Sequence, residues 1–166
     1  MDELYYPTTR YILAKFVIKN RLGKDAPGWA CGRLIAGDDT PHLAMLAGMT
    51  GSENAFELED YFRRTIHELH LQLPDNARAV LDYAQEISRL YLDGQLPLKL
   101  YLQEFIELFY AEGAGHEIHP FYMLANAWDD LQFSDFSYYY DVTRENFEEA
   151  LLREIHRLMA IESGGN

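Results

Sequence analysis

Three observations predict an all-α fold, a compact multi-helix bundle. Apolar residues recur three or four positions apart along nearly the whole chain. No alternating stretch is long enough for a strand, and glycine and proline fall between the periodic segments. With 166 residues, 48% of them apolar and 25% charged, the chain is long enough to bury a core, and disorder is expected only in the closing Ser163-Gly164-Gly165-Asn166.

The elements follow in order. After Pro7, Thr8 or Thr9 caps a helix whose Ile12, Leu13, Phe16 and Val17 share a face, and Gly23 closes it. Pro27 opens a second helix through Trp29, Leu34 and Ile35 to Gly37. Asp39 or Thr40 caps a short third, Pro41 to Ala47, with proline in the first turn. Ser52 or Asn54 starts a longer helix with Leu58, Phe62, Ile66 and Leu69 on one stripe; Glu57, Glu59 and Asp60 lie in its early turns, where the helix dipole favours acids. Pro74-Asp75 interrupts the pattern. The next helix carries Val80, Ala84, Ile87 and Tyr91 and stops at Asp93-Gly94. Pro97 opens another, with Tyr101, Leu102, Phe105, Ile106 and Phe109, ended by Gly113 and Gly115. His119-Pro120 leads into a helix carrying Leu124, Ala125 and Trp128, with Trp128 on its core stripe. A polar, aromatic loop from Asp129 to Asp141 follows. Thr143 then caps a last helix striped by Phe147, Leu151, Ile155 and Leu158.

The first four segments and the last four run in parallel: a helix ending at glycine, a proline-started helix, a proline-led segment and a helix with an acidic start. We read 1–166 as a single helical domain of two related halves, about 8–73 and 75–162, sharing one core. Two copies are too few for a solenoid, and amphipathic helices resemble one another by chance in part.

Charge is distributed unevenly. Residues 1–81 hold 11 acids and 9 Lys or Arg, whereas 82–166 hold 16 acids and 5, and no base lies between Lys99 and Arg144. A field of this sign repels nucleic acid and anionic membranes and speeds encounter with basic proteins. No apolar run approaches a bilayer span, and the acidic Met1-Asp2-Glu3 start is unlike a signal peptide. The lone Cys31 cannot form an internal disulfide. A soluble, cytoplasmic protein is expected.

Catalytic motifs are absent from the pattern. His67 and His70, like His116 and His119, are spaced by three, not the four that a zinc-protease helix needs; a metal site requires the fold to unite the two pairs. Cys31 reads as a buried structural thiol. There is no nucleophile elbow or phosphate-binding glycine loop, so neither an enzyme nor a cofactor is expected. The informative segment is Trp128–Asp141: fourteen residues with six aromatics, four acids and no base. Aromatic rings supply contact area at low entropic cost, and neighbouring acids pair with Arg or Lys. One of Phe133 and Phe136 is expected to pack inward and tie the loop down. Of Tyr138, Tyr139 and Tyr140, at least one hydroxyl must reach solvent.

Four stretches within residues 84–159 carry a family resemblance: the turn Tyr91-Leu92-Asp93-Gly94, the helix Leu102–Phe109, the run Leu124-Ala125-Asn126-Ala127-Trp128-Asp129-Asp130, and the capped helix Thr143–Ile155. The region resembles the small helical immunity proteins, of the colicin D type, that protect bacteria from their own bacteriocins. The resemblance implies an inhibitor that binds a nuclease toxin, often an RNase, by presenting acids where nucleic acid would lie; Asp129, Asp130, Asp135 and Asp141 occupy the matching loop. Those small proteins lack this chain's other helical half, and its loop is richer in tyrosine. The expected function is therefore a protein-binding, immunity-type module acting on a basic partner through Asp129, Asp130, Asp135, Tyr138, Tyr139, Tyr140 and Asp141. The alternatives are a helical adaptor or regulator with a non-toxin partner, and, third, a metal protein using the His-x-x-His pairs. The oligomeric state is open.

Overall fold

The structure, a computed structural model, describes residues 5–19, 21–139 and 141–162; the opening and closing four residues, with the expected tail disorder, lie outside them, as do Asn20 and Tyr140. The described residues form eight α-helices and no strand, so the all-α prediction holds. None of these helices is long and apolar enough to cross a membrane. The chain divides into two compact units, Met1–Asp75 and Asn76–Asn166, at the Pro74-Asp75 interruption.

The first unit holds α1 (Thr9–Lys19), α2 (Asp25–Ile35), α3 (Pro41–Ala47) and α4 (Ala55–Glu68). Thr8 starts α1, its Oγ1 accepting the Tyr11 amide at 3.1 Å, and Asn54 starts α4 by accepting from the Phe56 amide at 2.9 Å. α2 begins two residues before Pro27. Proline fits there because the first four amides of a helix have no intrahelical acceptor anyway. At α3 neither expected residue supplies a side-chain cap. Instead Glu68, at the far end of α4, accepts the His42 amide at 3.1 Å and meets His42 Nδ1 at 2.5 Å. The core cluster described here, which includes Ile12, Phe16, Trp29, Leu43, Leu46 and Phe62, is made of this unit's residues alone. Phe62 lies 5.0 Å from Phe16 and edge-on to Trp29 at 5.5 Å, and the buried indole N–H donates to Thr9 Oγ1 at 3.0 Å.

The second unit holds α5 (Asn76–Leu92), α6 (Leu98–Phe109), α7 (His119–Phe133) and α8 (Phe147–Met159). α5 is buried continuously from Asp82 to Ser88, and its polar residues there are engaged: Asp82 pairs with Arg78, Glu86 with Arg89, and Ser88 with the Tyr101 hydroxyl at 2.8 Å. Gln85 donates to the Leu158 and Ile161 carbonyls at 2.8 and 2.9 Å, which fastens the end of α8 to α5. Aromatic rings join α6 to α7: Phe105 stacks on Phe121 at 4.2 Å and Phe109 on Tyr122 at 3.9 Å. Gly113, at φ +89°, passes the start of α5 so closely that a Cβ would lie 2.6 Å from its backbone.

α8 starts later than expected. Thr143 does not cap it; residues 144–146 form a turn, and the Thr143 amide donates to Asn146 Oδ1 at 2.7 Å.

Candidate functional site

α7 is longer than its sequence reading. It continues through the acid pair to Phe133, so Asp129 and Asp130 sit in its closing turns and the loop begins at Ser134. Leu124, Ala127 and Leu131 are all buried, and this continued stripe outweighs two acids placed where the helix dipole disfavours them. The compensating cation is Arg144. Its Nε donates to the Leu131 carbonyl at 2.9 Å and Nη2 to the Ser134 carbonyl at 3.2 Å, while Nη1 stands 3.3 Å from Asp135 Oδ1. One guanidinium thus closes the helix end and pairs with an acid of the loop.

The chain from Ser134 to Asn146 is held by short-range bonds. The Phe136 amide donates to Ser134 Oγ at 3.1 Å and the Tyr138 amide to Asp130 Oδ2 at 3.4 Å. Ser137 Oγ lies 3.0 and 3.1 Å from the Tyr139 and Val142 carbonyls, and Asn146 Nδ2 donates to the Asp141 carbonyl at 2.5 Å. Val142 is the buried anchor. Asp141 adopts φ +69°, a left-handed conformation that Asp tolerates better than most side chains.

This framework leaves the rings outside. Phe133 is 94% exposed, Phe136 82% and Tyr138 88%. The expectation that Phe133 or Phe136 packs inward is therefore wrong: Val142 and Arg144 tie the loop down instead. Trp128 is half-buried, not core, with its ring tilted 5.1 Å from that of Phe147. Tyr139 is half-buried; burial first, then the Glu154 charge, raises its hydroxyl pKa against the opposing pull of Arg157 and Arg153. Tyr140 lies outside the described residues. Asp129, Asp135 and Asp141 are exposed, whereas Asp130 is half-buried and engaged by the loop. The Asp135–Arg144 pair is solvent-exposed, and such pairs contribute no more than about 1 kcal/mol, so Asp135 remains available to an incoming cation.

Trp128 also stands between two grooves. One, of about 360 Å³, lies between α6 and α7, with Leu102, Ile106, Ala125 and Trp128 along it and Lys99 and Asp129 at its margins. The other passes Leu131, Arg144 and Phe147. The sequence reading missed Arg144 and both grooves. Arg144 was visible as the base that ends the acidic run, but its three partners are set by tertiary geometry.

The histidine pairs are surface features. His67 and His70 are exposed on and after α4; His116 is fully exposed with Nδ1 3.7 Å from Glu117, and His119 is exposed with its ring 5.9 Å from that of Phe109. Among the described residues, no three His, Cys, Asp or Glu side chains converge to hold a metal ion. Cys31 is half-buried, its Sγ 3.6 Å from the Ala47 carbonyl, rather than buried as expected. No family model matches the chain, and no match is found among curated proteins or solved structures.

Proposed function

We propose that this chain is a protein-binding module whose α7–α8 end docks a basic protein, acting as an immunity- or antitoxin-type inhibitor that covers the cationic cleft of a nuclease toxin. One observation carries the reading: three aromatic rings stand almost bare, Phe133 at the end of α7 and Phe136 and Tyr138 on the loop after it, where the backbone is hydrogen-bonded and anchored. Rings held out on an ordered backbone suit a binding hot spot, because the ordering cost is met in folding rather than at association. Asp129, Asp135 and Asp141 set beside them the charge that complements Lys and Arg. The acid excess of 82–166 steers a basic partner over a range that salt cuts to about 8 Å at physiological strength.

The test is affinity capture from the native lysate at low and high salt, with the unmodified chain and two variants. Asp129→Asn/Asp135→Asn removes the charge, puts no second cation beside Arg144 and leaves Asp130 to hold the loop. Phe133→Ser/Phe136→Ser removes the rings. A partner captured by the unmodified chain, released by salt and lost with both variants is expected, and the purified chain then inhibits that partner's nuclease activity at equimolar ratio. Capture unchanged by both variants refutes the surface. A captured partner without nuclease activity refutes the inhibitor reading and leaves an adaptor.

A further inference from the structure

We infer that the α6–α7 groove beside Trp128 is a second, apolar half of this docking surface, and that it receives an amphipathic helix of the same basic partner. The inference rests on the reading above and specifies the partner's chemistry. Leu102 and Ala125 are almost fully buried, so the floor is fixed by the packing of α6 on α7, while the half-buried Ile106 and Trp128 leave apolar surface toward the opening. A volume of about 360 Å³ is at the small end for ligand sites, which run from about 300 to 1,000 Å³. The polar groups lie at the margins, as suits a groove that seats side chains of a helix.

Charge selects the occupant. Glu107 on α6 and Asp129 on α7 line the groove against one base, Lys99, and α7 leads on into the acidic loop. A second copy of this chain, with a net charge of −13, would bring the same acidic unit against it. A partner helix with an apolar stripe flanked by Lys or Arg meets both features: apolar side chains enter over Ile106 and Trp128, and a cation reaches Asp129. Trp128 lines the neighbouring groove as well, together with Arg144, whose side chain holds the end of α7 ahead of the loop. Attraction by the loop governs the association rate, and the groove governs how long the complex lasts.

Three fluorescently labelled helical peptides test this by anisotropy, with tryptophan emission as the second readout. The first carries Leu at i, i+3, i+4 and i+7 with Lys elsewhere; the second has Gln for Leu; the third has Glu for Lys. The chain has two tryptophans, and Trp29 is buried in the other unit, so Trp128 is the one a groove ligand can shield. The Leu/Lys peptide is expected to bind saturably and to blue-shift the emission, with the shift lost in Trp128→Phe. Ile106→Glu is expected to weaken it at least about tenfold with helicity unchanged. Ile106→Ala, which only removes apolar surface, weakens it in the same direction and serves if the larger change disturbs the fold. Equal binding of the Gln/Lys peptide, or none of these losses, overturns the groove and leaves the basic-partner reading standing. Tight binding of the Leu/Glu peptide overturns that reading and this inference together, whereas no saturable binding of the Leu/Lys peptide overturns the groove alone.

Discussion

Replacing Arg144 by methionine keeps a long apolar stem and removes the three contacts that its guanidinium makes with the end of α7 and the loop. The contacts at stake are the Leu131 carbonyl at 2.9 Å, the Ser134 carbonyl at 3.2 Å and Asp135 at 3.3 Å. A hydrogen bond from a charged donor contributes about 1.5–3 kcal/mol. The Arg144 side chain is 53% exposed and that of Asp135 84%, so water takes back part of this and the ion pair adds under about 1 kcal/mol. The expected loss is about 1–2 kcal/mol, a fall of roughly 4–16 °C in the melting of a unit of this size. Trp128 packs on Phe147 and lies beside Arg144, so its emission follows the unfolding of this region while circular dichroism follows helicity. Limited proteolysis between Ser134 and Asn146 is expected to quicken in parallel. Arg144→Lys keeps the charge near the helix end but not the three-way fork, and falls between the two. A methionine variant within about 0.5 kcal/mol of the unmodified chain, the usual range of neutral surface changes, with unaltered proteolysis, would show that Arg144 does not hold the loop.

Two other perturbations test the frame. Gly113→Ala and Gly94→Ala both place a side chain at positive φ, but a Cβ at Gly94 meets nothing within 4 Å whereas one at Gly113 meets backbone at 2.6 Å. Chemical denaturation is expected to show a loss of about 1–2 kcal/mol for Gly94→Ala and at least about 3 kcal/mol for Gly113→Ala; equal losses contradict the close approach to α5. Glu68 is held below the ordinary glutamate value of 4.5, first by its hydrogen bond with His42 and against a smaller desolvation effect. A lowered carboxylate stabilises the fold above its unfolded pKa and loses that contribution as pH falls through the folded one. Glu68→Gln is therefore expected to be less stable at neutral pH and to flatten the acid limb below 4.5 in pH-dependent melting; an unchanged limb removes the cap of α3 as its cause.

The helices were legible because their signals are local. The Ile12, Phe16 and Leu58, Phe62, Ile66 spacings, the Thr8 and Asn54 caps and the stops at Gly37 and Gly94 act within one or two turns, and the structure keeps them, whereas α1 and α6 end four residues before Gly23 and Gly113. Long-range partners were not legible. The cap of α3 comes from Glu68, 26 residues away, and nothing near Pro41 announces it. The same limit shaped the site. The acid pair after Trp128 reads locally as a helix stop, yet the burial of Leu131 and the reach of Arg144 carry α7 onward to Phe133. One of Phe133 and Phe136 reads as an inward anchor because most phenylalanines are buried; what holds the loop is a small valine and an arginine whose carbonyl partners lie 10 and 13 residues back.

That exchange bears on why the loop exists. Burying a phenylalanine contributes about 1.5–3 kcal/mol, and the fully turned-out rings of Phe133 and Phe136 forgo most of it. A plain connection between packed helices needs about 2–8 residues, while thirteen separate α7 from α8. A chain selected for stability alone would shorten the connection or turn a ring inward. Here the backbone is instead fixed by Ser134, Ser137, Asp130, Arg144 and Asn146, all polar groups that leave the rings uncovered. Fixing the backbone while withholding the rings from the core lowers the stability of the free chain and lowers the entropic cost of any contact the rings then make. Folding alone gains nothing from that combination; a partner of the kind proposed, covering the rings, would.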